Sequence, residues 1–526
     1  MKRASEIASM FRSLATKPLA TLLGTFALAT TFSCSTTFTP ATCATDGDCG
    51  DGLACFGATD GNYCRNSAEV PIRIGISAPI SSAALGIDMR AGVELAFAEQ
   101  LKKGGIHGRP IKLEFRDDGY DPTNAEAAAK ELTAATASTT APVRCPVTTL
   151  KSQDATPNPV STTALLRGPN AVLALLGNVG TPTMVRAAPV ALETGTLYFG
   201  AFTGAAAILR DGRAGADCSR YVFNVRASYA NEARATLEYF IKNGIHDADH
   251  LLSFDQNDGF GDAGYNGLKA AYASLSGNDA NKLAALPDGA SIARYRYTRG
   301  DVQSVTPVVA TVTKQLATLL QTSPGNHTVG VMMTDTYGPA AAFIRGLRDW
   351  QYAADAEQTA LKKGDRLTLL FNNVSFVGPN ALAKQLANDT KTYNPSKPYS
   401  NGVFVSQVVP NYQTDKGEIS RQYRQLSTDA GLEPSFTAFE GYISGRIFSA
   451  GLLQNGKKSI TPESMITALE TMPDLALGLG GAARYSADSH NYLKSIWVTA
   501  IAPDATFIDR YYWADKGIDT ISIEEF

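Results

Sequence analysis

Residues 70–122 read VPIRIGISAPISSAALGIDMRAGVELAFAEQLKKGGIHGRPIKLEFRDDGYDP. Pro71 to Ile76 is a short apolar run and reads as a strand. From Met89 to Leu101, the residues Ala91, Val93, Leu95, Ala96, Phe97 and Leu101 fall largely on one side of a helix. Ile111 to Phe115 is a strand again. Asp121-Pro122-Thr123-Asn124 then opens an Ala-rich helix, because Asp caps a first turn and Pro suits a position whose amide needs no partner. Strand, helix, strand, helix is the pattern of a parallel sheet with helices on its faces.

The alternation continues through the chain. Val172 to Leu176, Thr196 to Phe199, Tyr221 to Val225, His250 to Phe254, Ile292 to Tyr297, Val329 to Met333, Leu367 to Phe371 and Val403 to Val408 read as further strands. A helical pattern follows most of them. One sheet does not hold so many strands comfortably. The expected fold class is α/β, with two doubly wound, Rossmann-like lobes and no sequence repeat of fixed period. A length of 526 residues suits two or three domains. The net charge of −3 makes no electrostatic case for nucleic acid. Five His argue against a histidine-rich metal store. A mean hydropathy of −0.10, with one apolar stretch near the N-terminus, excludes a multi-pass membrane protein.

That apolar stretch reads as an address. Lys2, Arg3, Arg12 and Lys17 precede an uncharged run from Leu19 to Phe32, so residues 1–33 are expected to be a signal peptide. Thr31-Phe32-Ser33-Cys34 is similar to a bacterial lipobox. Small Ser33 fits it, while Thr31 and Phe32 match the Leu-rich pattern poorly. Lipidation of Cys34 is expected; the alternative is ordinary cleavage nearby, with Cys34 in a disulfide. Seven Cys leave one over if the rest pair. Cys43, Cys49, Cys55 and Cys64 crowd a Gly/Asp-rich segment that is too polar to build a core, so bridges must hold it. None of their spacings is the two-residue gap of a zinc knuckle. Residues 34–69 are therefore expected to be a stalk with two disulfides of open connectivity. Cys145 and Cys218 stand alone further on; they are nucleophile candidates, but in an oxidising compartment a bridge between them is expected.

Several strings resemble catalytic motifs and fail on context. GFGDAG, Gly259 to Gly264, fits the dinucleotide fingerprint, but Asp255 to Asp258 makes the preceding turn too long. GLLQNGKKS, Gly451 to Ser459, nearly spells a phosphate loop, but Lys458 stands where Ser or Thr must reach magnesium. His246 and His250 are read in a connecting loop, between a helix ended by Gly244 and a strand begun by Leu251, and not on zinc. No Ser has the flanking glycines of a nucleophile elbow. Asp117-Asp118 and the group Asp255, Asp258 and Asp262 read as strand-end carboxylates that cap the next helix. No catalytic residue, metal or cofactor is expected.

One ordered series carries a family resemblance. It runs Ile74-Gly75-Ile76-Ser77-Ala78-Pro79, Gly86, Gly92-Val93-Glu94-Leu95-Ala96, Gly104-Gly105-Ile106-His107-Gly108 and Asp117-Asp118-Gly119-Tyr120-Asp121-Pro122. It continues with Gly177-Asn178-Val179-Gly180-Thr181, Gly200-Ala201-Phe202-Thr203, Gly259-Phe260-Gly261, Thr336-Tyr337-Gly338-Pro339-Ala340-Ala341, Ser375-Phe376-Val377-Gly378, Glu440-Gly441-Tyr442 and Phe507-Ile508. From Val70 to the C-terminus the chain resembles the type I periplasmic binding proteins, in the branch of the leucine/isoleucine/valine-binding protein. That family feeds ABC transporters with amino acids, amides and related small organic ligands.

The resemblance implies two lobes that close on a ligand like a flytrap. Lobe one would take 70–225 with 410–490, and lobe two 226–409 with 491–526. A ligand carboxylate would be held by amides and hydroxyls at Gly180, Thr181, Ala201 and Thr203, near a helix N-terminus. Phe260, Thr336 and Tyr337 would form the opposing wall. Two departures stand out. Ala141 to Pro169 is longer than the family needs and is expected to be an exposed loop tied down through Cys218. Ser375 falls where amino-acid binders place the acid for the ligand ammonium; Asp335 is the nearby acid that could take that role. The function implied is an extracytoplasmic, lipid-anchored solute-binding protein of the bacterial cell envelope, monomeric and serving an ABC transporter permease. A sensor of the same fold acting on a membrane receptor, or an extracellular enzyme, are the alternatives.

Overall fold

A computed structural model describes residues 41–43, 48–50, 52–58, 61–81, 83–145, 164–205, 218, 220–277, 282–287, 290–323, 325–357, 366–387, 398–456, 459–480, 483–515 and 521–525. The expected signal peptide, Cys34, Lys458 and most of the long loop after Cys145 lie outside these residues.

Two sheets organise the chain. The first has five strands in the order Ile111–Asp117, Ile72–Ala78, Ala174–Leu176, Leu197–Phe199, Val222–Phe223, all parallel. The second has eight, in the order Ala293–Tyr297, Leu251–Gln256, His327–Thr334, Leu367–Val374, Val403–Gln407, Ile496–Ile501, Phe507–Asp515, Ile521–Glu525. Central strands such as Ile72–Ala78 and Leu367–Val374 are near-continuous apolar runs because helices cover both of their faces. In each sheet the first strand in sequence lies between the second and the third. The chain therefore reverses its winding at that strand, and a crevice opens beyond the carboxyl ends of the first and third strands.

The parallel strands lie where the sequence reading puts them. Three features differ from it. The last three strands of the second sheet run antiparallel, so that sheet is mixed. The connection from Ile501 to Phe507 is too short for a crossover helix, and only an antiparallel turn can close it. A small hairpin pairs Thr136–Ser138 with Ala164–Leu166. The strand read as ending at Phe254 continues to Gln256, so only Asn257 and Asp258 precede the helix Gly259–Leu275. That turn is shorter than the one on which the fingerprint reading was set aside.

The helix Phe436–Gln454 returns to the first lobe and packs on the helix Ala84–Lys102. A Cβ on Gly92 would strike the Ala438 carbonyl, and one on Gly441 would strike that of Met89. Two glycines thus let the backbones touch. Before the first sheet, the hairpin Leu53–Ala58 with Gly61–Asn66 is stapled by Cys43–Cys55 and Cys49–Cys64. Cys145 is bonded to Cys218. No described helix is long and apolar enough to cross a membrane.

Candidate functional site

The carboxyl edges of the two sheets face one another, and the residues just beyond them meet. On the first lobe, Ser77 donates its hydroxyl to Asp118 at 2.6 Å, and its amide donates to Asn178 Oδ1 at 3.2 Å. Asp118 also accepts the Tyr120 amide at 2.9 Å. Burial pushes the Asp118 carboxyl up to about 6 against those two donors. The next turn is Val179-Gly180, where Gly180 has φ of +100° and the Tyr120 ring fills the place a side chain would need. Gly180 caps the helix Thr181–Glu193. Thr181 Oγ1 lies 2.7 Å from Thr203 Oγ1, which is also 3.3 Å from the Tyr229 hydroxyl and accepts the Ala205 amide at 3.2 Å. Burial lifts the Tyr229 hydroxyl to about 12 and keeps it a neutral donor.

The second lobe contributes an aromatic layer. Asp258 caps its helix through the Phe260 amide, and so fixes Phe260 at the helix start. The Phe260 ring packs on Phe376 at 4.7 Å and on Tyr229 at 5.5 Å. Phe376 reaches the first lobe, with ring centroids 5.1 Å from Phe202 and 6.3 Å from Tyr120. Thr181, Thr203, Phe260 and Phe376 are all buried, so the lobes are in contact here. Thr336 and Tyr337 are half-buried on the same edge. The Thr336 amide donates to the Tyr297 hydroxyl at 3.2 Å, which in turn donates to Gln256 at 3.0 Å.

Several expected roles change in this geometry. The Gly180 amide is already bonded to the Phe202 carbonyl, and the Thr203 amide to that of Ala201. The parallel bridge between Val179 and Phe202 consumes the first of these. The Gly180 and Thr203 amides are thus engaged within the turns, while Thr181 and Thr203 supply hydroxyls. Ser375 is not open to the cleft either. Its amide and hydroxyl donate to Glu232 at 2.6 and 3.0 Å, and its hydroxyl also accepts from Arg226. Arg226 stands 3.6 Å from Glu440 of the first lobe and 3.7 Å from Glu232 of the second, with its guanidinium 4.7 Å from the Phe202 ring. Burial alone would lower its pKa, but Glu440 and Glu232 raise it, so it stays charged. The acids read as caps divide: Asp258 and Asp121 cap, while Asp255 and Asp262 are held by Arg294.

The sequence reading missed Tyr120, Phe202, Tyr229 and Phe376 as cleft residues. Tyr120, Phe202 and Phe376 stand inside the motifs that carry the resemblance, which was the available signal.

Comparison with known proteins agrees with this architecture. Residues 71–140 and 166–348 match a family described as periplasmic binding protein. A Leu/Ile/Val-binding protein homolog 2 of Brucella abortus is 45% identical over 53 residues, which is 10% of this chain and 14% of that relative's length. The structure of a possible leucine/isoleucine/valine-binding protein from Rhodopirellula baltica SH 1 is 28% identical and superposes with a TM-score of 0.61 over 85% of this chain and 97% of its own. An ABC transporter substrate-binding protein from Desulfitobacterium hafniense, in complex with Leu, shares the fold at 14% identity and a TM-score of 0.55, over 84% of this chain and 99% of its own.

Proposed function

The two-lobed region belongs to the type I periplasmic binding proteins of the leucine/isoleucine/valine-binding kind, and from that premise we propose that it captures a small carboxylate-bearing organic ligand for an ABC transporter. The observation that carries this reading is the pairing of Thr181 and Thr203 hydroxyls at the crevice of one lobe, opposite the Phe260 and Phe376 rings of the other. Hydroxyls beside the N-terminus of the helix Thr181–Glu193 suit an anion, since the first amides of a helix have no partner within it. The aromatic layer suits an apolar body and keeps water away. Closure of two lobes around such a ligand is binding chemistry: it holds and releases, and needs no nucleophile. The site residues in this reading are Thr181, Ala201, Thr203, Tyr120, Phe260, Thr336, Tyr337 and Phe376, with Gly180 shaping the turn. The lobes are 70–225 with 410–490 and 226–409 with 491–526. The mature chain is lipidated at Cys34, held outside the cytoplasm by that anchor, and meets a permease.

Native mass spectrometry of the purified protein, followed by calorimetry with the molecule found in it, tests the reading. The expected result is one carboxylate per chain, released unchanged. Steady conversion of the molecule to a product would overturn it in favour of an enzyme.

A further inference from the structure

We propose that His250 and His327 form a two-histidine site for a divalent transition-metal ion such as Zn2+ or Cu2+, at the end of the second sheet away from the ligand cleft. The site is independent of the carboxylate-binding reading above.

His250 immediately precedes the strand Leu251–Gln256, and His327 opens its neighbour His327–Thr334. Both backbones are pinned. The His250 carbonyl accepts the Gly330 amide at 2.9 Å, and the His327 amide donates to the Arg366 carbonyl at 2.8 Å. The pair stands at the amino ends of parallel strands, whereas the cleft lies beyond their carboxyl ends. The eight residues of His327–Thr334 rise roughly 25 Å, which separates the two places. The partner of His250 is therefore not His246, close by in the chain, but His327, 77 residues on.

The rings meet nitrogen to nitrogen. His250 Nε2 lies 2.9 Å from His327 Nδ1, with the ring planes 13° apart and the centroids 5.2 Å apart. The outer nitrogens face groups that accept. His250 Nδ1 is 2.7 Å from Asp247 Oδ1, and His327 Nε2 is 2.5 Å from the Ser323 carbonyl. A carboxylate and a carbonyl draw the N–H to those outer atoms, and a neutral imidazole carries only one N–H. Two lone pairs are left pointing at each other across 2.9 Å. A positive species has to stand between them, either a proton or a metal ion.

The surroundings are those of metal ligands. A ligating His donates its other N–H to a carboxylate or a backbone carbonyl, which fixes its tautomer and ring direction. Here one ring has the first kind of partner and the other has the second. Two nitrogens each about 2.0–2.1 Å from a tetrahedral zinc stand about 3.3 Å apart, so the rings need to part by only a few tenths of an ångström. The His250 side chain is 23% exposed and that of Asp247 44%, so an ion reaches the pair from solvent. Imidazole nitrogen selects Zn2+, Cu2+ or Ni2+ over Mg2+ and Ca2+, which take oxygen. Two protein ligands leave positions for water, so the ion exchanges. When bound, it ties two neighbouring strands together and, through Ser323, the end of the helix Val305–Thr322.

Untagged full-length protein, stripped with chelator and titrated with Zn2+ or Cu2+, tests this. The expected result is one ion per chain, a Cu2+ electron paramagnetic resonance spectrum with coupling to two imidazole nitrogens, and a thermal transition raised by Zn2+. Asp247→Asn changes a partly exposed side chain that orients His250 without touching the metal, and should lower affinity about tenfold. His250→Gln and His327→Gln should each lower it further. Asp247→Asn keeps the test open where a histidine variant fails to fold. Absence of binding by the wild type overturns the proposal and leaves a shared proton as what joins the rings. Affinity undiminished in the folded variants overturns it too, and puts the ion elsewhere.

Discussion

Phe376 of the second lobe places its ring 5.1 Å from that of Phe202 on the first, tilted by 34°, with neither ring exposed. The contact joins residues that follow strands of different sheets, so it exists only while the lobes are together. Phe376→Ala removes the ring that also touches Phe260 and Tyr120. The expected cost is about 3–5 kcal/mol of stability if the space does not collapse, together with weaker ligand binding. Thermal denaturation and calorimetry would read these separately. An unchanged melting temperature would show that Phe376 packs against nothing that matters.

Thr203→Val keeps the shape and deletes the hydroxyl shared with Thr181, Tyr229 and the Ala205 amide. Stability should fall by about 1–3 kcal/mol, because buried donors lose their partner. Ligand affinity should fall by about tenfold or more if that hydroxyl touches a carboxylate. A destabilised protein with intact affinity would reduce Thr203 to a turn-former.

Asp118 makes stability depend on pH in a defined direction. Its pKa in the folded chain is raised from 3.8 to about 6. A raised pKa means a contribution that is full below the unfolded value and is lost as pH climbs through the folded one. Wild type should therefore lose up to ~3 kcal/mol relative to Asp118→Asn across that window. Urea unfolding of both proteins at a series of pH values measures the difference. Parallel curves for the two would remove Asp118 as the cause.

The Cys145–Cys218 disulfide spans a separation of 73 residues. Replacing both cysteines with serine should destabilise the chain by about 2–4 kcal/mol. Peptide mapping without reductant should recover this bridge together with Cys43–Cys55 and Cys49–Cys64. Recovery of other pairings would contradict the arrangement.

Mass spectrometry of the mature N-terminus should find a diacylglyceryl group on Cys34. A free N-terminus at any other residue would show that the chain is released by ordinary cleavage.

Much of the fold can be read from local pattern. The parallel strands are buried on both faces, so they are written as apolar runs that stand out without any tertiary knowledge. The closing strands Ile496–Ile501 and Phe507–Asp515 are harder to read, because Thr499, Asp509 and Arg510 break the apolar pattern. Leu251–Gln256 ran two residues past its reading for a related reason. Asp255 and Gln256 look like loop residues until Arg294 and Tyr297 arrive from the neighbouring strand to bond them. The site is legible in its turns and not in its partners. Gly180 announces a positive φ by being glycine, whereas the engagement of Ser375 depends on Glu232, which lies 143 residues away. Phe376 looks like any core aromatic after a strand. Only the opposing lobe makes it a cleft residue.

The return of the helix Phe436–Gln454 to the first lobe also sets the order in which the molecule can be completed. The Ser435 hydroxyl bonds Asp88 at 2.7 Å across 347 residues of chain, and the glycines at 92 and 441 admit nothing bulkier between the two backbones. Until Phe436 has left the ribosome, the helix Ala84–Lys102 can lie on the first sheet, but the face that takes the helix Phe436–Gln454 is open to solvent. Contacts of such separation form slowly. A polypeptide bound for the far side of a membrane must stay threadable until it has crossed, and here the piece that finishes the first half of the fold is made almost last.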